Sequence, residues 1–291
     1  MVQTDTSSIH AGRPSSANGA DDAPLEKPNS STEVLTNDAA AGELFTYPDG
    51  GVRAWLQVLA AHLVNAMAWG YAATFGVYQL HYRQTLALPS SQISWIGSVQ
   101  IFLAFAMCTP SGRLADAGYA RAALATGSFL AVLGTFMTSL ATEYWQLMLA
   151  QGICTGLGLG IMFMPGIAVI SSYFKRRRSL ALAIAATGTG TGSVAFPATV
   201  QYLAPRVGFP WAVRCAAFVA LFVCAIANVL LRPRLPPRRS GPLVEWAALK
   251  EPAYVLFTAG SFLLFWVLYF GFFYVSNLLF GRVNAYRHLG C

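Results

Sequence analysis

The stretch 173-YFKRRRSLALAIAATGTGTG-192 places four consecutive cations, Lys175, Arg176, Arg177 and Arg178, between two segments that are otherwise apolar. Burying such cations at the centre of a bilayer would cost about 2.5–3.5 kcal/mol each, so they belong in a loop. The small residues and glycines that follow are typical of helices that pack closely in a membrane. The stretch therefore predicts a short polar loop between two membrane-spanning helices.

The chain beyond Arg53 contains seven long stretches without Asp, Glu, Lys or Arg. About 20 apolar residues cross the hydrocarbon core as a helix. Six stretches exceed that length, and 215–231 reaches it if the helix begins near Pro210 and Arg214 extends to the interface. We therefore predict seven spanning helices near 54–80, 92–110, 122–141, 145–172, 180–202, 211–231 and 253–278.

The composition agrees with a membrane protein, since 55% of the 291 residues are hydrophobic and only 11% are charged. Eight of the 12 acidic residues lie in the first 49 positions, so a basic body follows an acidic start. Such a body fits loops that face anionic membrane lipid. Nucleic acid is a poor partner, because the cations form short clusters between apolar runs.

Residues 1–47 are rich in small and polar residues and are predicted to be a disordered cytosolic tail.

The loop cations predict the orientation of the helices in the membrane. With a cytosolic N-terminus, the inner loops carry Arg53, Arg113, Arg121, Lys175 to Arg178, Arg232, Arg234, Arg238, Arg239 and Lys250. The outer loops of the first six helices then hold only Arg83, Arg206 and Arg214. This bias predicts a multi-pass protein with a cytosolic N-terminus, in a plasma or organelle membrane, and it disfavours a G-protein-coupled receptor.

Aromatic residues near helix ends are typical of the interfacial belt: Trp55, Tyr82, Tyr144, Trp145 and Trp211.

Enzyme chemistry is not indicated by the sequence. The apolar region has no paired carboxylates, no nucleophile beside a base and no phosphate-binding loop, because its glycines are helical and lack a following Lys-Ser/Thr. Cysteine and histidine residues show no metal-ligand spacing. We therefore expect no catalytic residue, no metal and no cofactor.

The loop 110-PSGRLADAGYAR-121 resembles the G-x-L-A-D-x-x-G-R-[RK] signature of the major facilitator superfamily through Gly112, Asp116 and Arg121. In that family the Asp caps a neighbouring helix end and pairs with Arg, which closes the inner side. The resemblance therefore implies an inner gate at these three residues. Gly118 comes one position early, and Ala117 and Ala120 replace the usual cations, so we expect a weaker gate.

Two further stretches resemble the paired signatures of the monocarboxylate transporter family, and most closely its fungal branch. They are 48-PDGGVRAW-55, before the first helix, and 173-YFKRRRSLALAIAATG-188, at the start of the fifth. The resemblance implies transport of a small organic solute by alternating access, either secondary active or facilitative. Animal members that couple lactate to protons carry a Lys where Ala73 stands here, so the departure puts proton-coupled carboxylate transport in doubt.

The resemblance also implies a fold of twelve helices in two six-helix halves, with the solute cavity between the halves. We expect an all-α membrane protein with the six-helix N-terminal half of a major facilitator fold plus a seventh helix. The expected parts are a tail at 1–47, the six-helix half at 48–231, a cytosolic loop at 232–251, the seventh helix at 252–278 and an unrelated tail at 279–291. This would be a C-terminally truncated form, with a cavity completed by missing helices or by a second chain. The alternatives are a non-transporting membrane fragment and a seven-helix protein with a binding or regulatory role.

Candidate residues for the solute cavity lie on the first and seventh helices. Asn65, Trp69 and Gly76 share one face of the first helix, and Tyr274 and Asn277 are three residues apart on the seventh. Hydrogen bonds that only pack the helices would explain these residues equally well.

Overall fold

The computed structural model describes residues 48–234 and 250–268, and every regular element in these ranges is a helix. The all-α prediction is therefore confirmed. Tyr274, Asn277, the tail at 1–47 and the tail at 279–291 lie outside the described residues, as do 235–249 of the central loop. The helices are α1 (Val52–Asn65), α2 (Phe75–Leu86), α3 (Ser90–Leu114), α4 (Ala120–Thr138), α5 (Gly156–Tyr173), α6 (Arg178–Ala186), α7 (Gly188–Val207), α8 (Phe209–Leu230) and α9 (Pro252–Leu268).

Four continuous helical stretches in the described ranges are long and apolar enough to cross a membrane: Ser90–Thr138, Tyr144–Tyr173, Arg178–Val207 and Phe209–Leu230. The first has 49 residues and contains two predicted helices, α3 and α4. Gly118, with φ of 89°, interrupts the helical path between them. The helix α9 is a shorter apolar helix. The region of α1 and α2 is not among the four, which agrees with polar residues such as Gln57, His62 and Asn65 in α1.

Departures from regular α-helix occur at π-helical segments, while Pro110, Pro165 and Pro197 lie inside continuous helices. One π-helical segment, Ala66–Gly70, follows α1, and another, Ala115–Tyr119, joins α3 to α4. A short helix and a third π-helical segment lead into α5, at Tyr144–Leu147 and Met148–Thr155. π-Helical turns are rare in proteins, and those that occur often lie at functional sites.

Close packing of α3 on α5 and on the segment before it involves three glycines spaced four residues apart, Gly152, Gly156 and Gly160. A Cβ atom placed at Gly156 would lie 2.7 Å from the carbonyl oxygen of Gln100 in α3, and one at Gly152 would lie 3.4 Å from that of Ile96. At Gly160 the added Cβ would meet the Ala104 carbonyl. Gly156 and Gly160 therefore allow the α3 backbone to approach within a distance that a side chain would prevent, whereas the contact between Gly152 and Ile96 is an ordinary one.

Large apolar side chains cover the outside of the bundle. Phe102, Phe129 and Phe222 are each more than 60% exposed, on three different helices. Exposed apolar surface of this extent is stable in lipid and not in water.

Tyr82 departs from its expected place in the interfacial belt: it is buried, and its hydroxyl donates a 2.6 Å hydrogen bond to Gln151 Oε1. Gln151, on the segment before α5, explains why Tyr82 can be buried, because its side chain supplies the acceptor that a buried hydroxyl needs.

Candidate functional site

A cavity of about 450 Å³ lies among the helices, between α1–α2, α3, α5, α7 and α9. Its wall is mainly apolar, and it carries two hydroxyl side chains, Thr189 and Ser193, both on α7. The aromatic residues in its wall are Trp69, Phe75, Phe105, Phe163 and Phe265. Mostly apolar cavities of about 300–1,000 Å³ with a few polar groups are the usual form of a small-molecule site.

Trp69 lies at the centre of the aromatic wall. Its ring centroid is 4.8 Å from that of Phe105 and 5.1 Å from that of Phe163, the second pair meeting edge to face. Phe105 in turn meets Phe265 of α9 edge to face at 5.8 Å. Such pairs hold rings in defined orientations, so the wall is a set of mutually supported aromatic surfaces.

The chain around Trp69 is irregular. Trp69 belongs to the π-helical segment Ala66–Gly70, and the helix is interrupted again at Ala73 and Thr74 before α2 begins at Phe75. The Thr74 hydroxyl donates to the Gly70 carbonyl at 3.3 Å, which satisfies a carbonyl at this interruption. These irregularities place Trp69, Ala73 and Phe75 in the same cavity wall. The Phe75 ring fits there because Gly97 leaves room for it: an added Cβ would lie 2.6 Å from the ring.

The two hydroxyls are positioned by close packing of α7 on the chain that follows α1. A Cβ placed at Gly70 would lie 2.5 Å from the Gly192 Cα, and one at Gly192 would meet the Ala66 carbonyl. Because the two backbones touch, Thr189 and Ser193 are held beside the wall formed by Trp69. Ser193 Oγ donates to the Thr189 carbonyl at 2.8 Å, so its lone pairs remain available to a bound molecule.

Charged side chains are absent from the cavity wall in the part of the chain that the structure describes. Arg214, which could have met a carboxylate, lies elsewhere: its Nε donates to Ser139 Oγ at 3.3 Å and its guanidinium stands 4.7 Å above the Trp211 ring. The described part of the wall therefore offers no cationic partner to a carboxylate.

The residues predicted to line the cavity fall into three groups. Trp69 and Gly76 line it. Asn65 is buried and is not part of the wall, and its Nδ2 donates to the Ala61 carbonyl at 2.9 Å within α1. Tyr274 and Asn277 lie outside the described residues.

The residues predicted to form the inner gate surround the junction of α3 and α4. Gly112 is near the end of α3, where an added Cβ would be 3.8 Å from Met164 of α5. Asp116 and Arg121 are exposed on either side of Gly118. No ion pair joins Asp116 to Arg121 in this structure, so the pairing that the family signature implies is not formed here.

A different aspartate, Asp49, joins the segment before α1 to the loop after α5. Asp49 Oδ1 accepts hydrogen bonds from the backbone N–H groups of Lys175 at 2.7 Å and Arg176 at 2.9 Å, and the Asp49 N–H donates to the Tyr173 carbonyl at 3.1 Å. The Lys175 N–H has the largest influence and lowers the pKa of the Asp49 carboxyl, against a smaller opposing effect of desolvation. The two stretches that carry the monocarboxylate transporter resemblance thus bind each other.

Several residues of the site were not singled out from the sequence. Phe105, Phe163, Thr189 and Ser193 lie in helices whose apolar composition hides a cavity-facing side chain. A usable signal existed only in α7, where Thr189 and Ser193 are four residues apart and alternate with the glycines of the packing face.

Comparison with known proteins identifies relatives over most of the chain. The profile of the Major Facilitator Superfamily matches residues 58–289. An "MFS-type transporter" of Gibberella zeae is 40% identical over 246 residues, which are 84% of this chain and 56% of the relative. The "Aspyridones efflux protein apdF" of Emericella nidulans is 36% identical over 260 residues, covering 88% of this chain and 53% of that protein. Both relatives are transporters and not enzymes, and the chain spans about half of their length.

A solved structure of similar fold is that of a mutant of the peptide transporter POT in complex with alafosfalin. The TM-score is 0.56 at 16% sequence identity, and the match covers 76% of this chain and 48% of the other. At this identity the likeness concerns the fold, and it agrees with a partial transporter fold of the kind expected from the sequence.

Proposed function

The chain belongs to the major facilitator superfamily, and we propose that it carries a small organic solute across a membrane by alternating access, as a secondary active or facilitative transporter. The observation that carries the proposal is the 450 Å³ cavity, which is walled both by helices of the first half and by α9. Transporters of this kind bind solute where their two halves meet.

Export is the direction that we propose, because a relative with 36% identity is named as an efflux protein. The monocarboxylate transporter resemblance, in our proposal, describes the shared inner-face contact between Asp49 and the 173–176 stretch. It does not extend to carboxylate binding, since Ala73 stands where a Lys would be and no cation lines the described cavity.

The N-terminus is proposed to be cytosolic. Hydrogen bonds connect the beginning of α1, the end of α5 and the end of α8: Gln57 Nε2 donates to the Leu230 carbonyl at 2.9 Å, and the Tyr173 hydroxyl donates to the Arg232 carbonyl at 2.9 Å. The cations Arg53, Lys175 to Arg178, Arg232 and Arg234 follow or flank these helix ends and so share one face. A cation-rich face is expected to be the inner one.

Completion of the solute path is proposed to need helices beyond those described. The curated relatives are about twice as long as the aligned region, and the second half of such a fold supplies the opposite wall of the path. These helices would come from a C-terminal continuation or from a second chain.

Uptake into inside-out vesicles tests the transport proposal. Vesicles would contain this chain alone or co-expressed with the C-terminal half of the Gibberella zeae relative, and radiolabelled neutral, anionic and cationic aromatic solutes would be offered. We expect saturable uptake only in the co-expressed vesicles, with loss in Ala73→Phe, which fills the cavity. The control Val194→Phe changes a 71% exposed position on the same bundle and should retain uptake. Absence of saturable uptake with both chains inserted contradicts the proposal, and favours a non-transporting fragment.

A further inference from the structure

We propose that the cavity selects uncharged, flat aromatic solutes that carry one hydrogen-bond donor at an edge, and that it discriminates against carboxylates. This inference rests on the proposed function only in treating the cavity as the solute site. It is argued from the size of the cavity, the geometry of its aromatic side chains, the two hydroxyl side chains and the lack of charged side chains among the described residues of the wall.

The aromatic wall suits a flat ring system. Trp69 is tilted by 41° to Phe105 and stands nearly perpendicular, at 82°, to Phe163. A flat solute can meet the face of one of these rings and the edge of another at the same time, which are the two arrangements that aromatic pairs favour. A cavity of about 450 Å³ has room for fused rings.

The described part of the wall disfavours an anion. No Lys, Arg or His lines the cavity among the described residues, and Arg214 is engaged with Ser139 and Trp211. A carboxylate that entered would lose its hydration without gaining a cationic partner, which is strongly unfavourable. A neutral solute of the same shape avoids this cost.

The hydroxyl side chains of Thr189 and Ser193 favour a solute that carries a hydrogen-bond donor. The Ser193 hydroxyl gives its hydrogen to the Thr189 carbonyl at 2.8 Å, so towards the cavity it offers lone pairs. A solute with an O–H or N–H group at its edge can donate to Ser193 Oγ. An ether oxygen cannot make this bond, and the Thr189 hydroxyl can donate to a phenol oxygen and to an ether oxygen alike, so the difference between the two solutes arises at Ser193. The wall therefore favours phenol-like or amide-like edges over ethers.

Three matched probes separate the effect of charge from the effect of a hydrogen-bond donor. The probes 2-naphthol, 2-methoxynaphthalene and 2-naphthoate share one ring system and differ only in the group at its edge. Binding would be measured with the purified full chain in nanodiscs at pH 7, with empty nanodiscs to subtract partition into lipid. We expect 2-naphthol to bind about three- to tenfold more tightly than 2-methoxynaphthalene, from one hydrogen bond. For 2-naphthoate we expect binding at least about tenfold weaker than for 2-naphthol.

Variants assign the selectivity to the cavity. Ser193→Ala should bring the ratio between 2-naphthol and 2-methoxynaphthalene close to one, and Trp69→Ala should weaken both. The control Thr199→Ala, on the same helix, removes a hydroxyl that donates to the Ala195 carbonyl at 2.7 Å and is not in the wall, so the ratio should be retained.

Binding in nanodiscs tests the selectivity of the cavity, and uptake into vesicles tests transport, so the two can fail separately. Equal or tighter binding of 2-naphthoate, or an unchanged ratio in Ser193→Ala, overturns the inference even if vesicles transport a solute. Selective binding without transport in the co-expressed vesicles supports the inference and contradicts the proposed function.

Discussion

Asp49 binds the backbone of Lys175 across 126 positions of sequence, with 2.7 Å between the carboxylate oxygen and the amide nitrogen. The same carboxylate oxygen accepts from the Arg176 N–H. The segment before the first helix is therefore fastened to the loop between the fourth and fifth predicted helices. Asp116 and Arg121, which were expected to close the inner side, form no ion pair with each other in the described structure.

Loss of the Asp49 carboxylate should release the backbone of the basic loop, whose side chains are already exposed. Asp49→Ala removes the acceptor for two N–H groups, so we expect faster tryptic cleavage at Lys175 to Arg178 in inside-out vesicles. Asp49→Asn keeps an acceptor oxygen without the charge and should give an intermediate rate. Asp116→Ala serves as the control, because exposed Asp116 makes no ion pair with Arg121. Cleavage that is equally fast in all three variants and the unchanged chain would show that Asp49 does not hold the loop.

The same contact predicts a pH dependence. Because folding lowers the pKa of Asp49, the contact contributes fully above the ordinary Asp pKa of about 3.9 and is lost as the pH falls through the lowered value. The backbone ¹⁵N shifts of Lys175 and Arg176, followed during an acid titration in nanodiscs, should change together with a midpoint below about 3.9. A midpoint at or above that value would contradict the assigned cause, and Asp49→Asn should abolish the transition.

Two glycines on α7 should respond differently to the same substitution. A Cβ at Gly192 meets the Ala66 carbonyl, whereas a Cβ at Gly190 has nothing within 4 Å. Gly192→Ala should therefore separate α7 from the chain after α1 and destabilise the protein by about 1–3 kcal/mol, as overpacking does. Gly190→Ala should be neutral or slightly stabilising, since Ala is the better helix former. Thermal unfolding in detergent measures both, and an equal effect of the two substitutions would contradict the packing described.

The buried hydrogen bond between Tyr82 and Gln151 should stabilise the bundle. Tyr82→Phe leaves the Gln151 oxygen without its 2.6 Å partner in a buried site, at an expected cost of about 1–3 kcal/mol. Tyr202→Phe, at a residue that is 62% exposed, is the matched control and should change little. Thermal unfolding midpoints in detergent should fall for the first variant only. An unchanged midpoint in Tyr82→Phe would show that the hydrogen bond adds no net stability.

The helices of this fold could be predicted from the sequence because a helix that crosses a bilayer must be apolar over about 20 residues. Runs without charge coincide with helical stretches of the described residues, although 54–80 and 180–202 are each broken into more than one element. Lys175, Arg176 and Arg177 lie in a loop after Tyr173 as predicted, and Arg178 is the first residue of α6. The boundary between α3 and α4 also followed from local chemistry, since Gly118 adopts a positive φ that suits glycine.

The site could be predicted only in part. Trp69 was chosen from helical spacing, and it lies in the cavity wall. Asn65 was chosen on the same grounds, but regular spacing does not anticipate the π-helical segment Ala66–Gly70 that follows it. Phe105 and Phe163 face the cavity through tertiary packing, and an apolar helix gives no local sign of which aromatic side chain does so. Asp49 belonged to a recognised stretch, but its partner is too distant in sequence for local patterns to reveal.

Cysteine accessibility at two adjacent positions of α7 tests the central claim, that the cavity is a solute path open to water. In a chain whose five native cysteines are replaced, Ser193→Cys places a thiol in the cavity wall, and Val194→Cys places one on the lipid-facing surface, where Val194 is 71% exposed. We predict that a water-soluble methanethiosulfonate reagent modifies Cys at 193, that 2-naphthol slows this reaction, and that Cys at 194 reacts poorly with no effect of 2-naphthol. Equal reaction at both positions, or a reaction at 193 that 2-naphthol does not slow, would contradict the account.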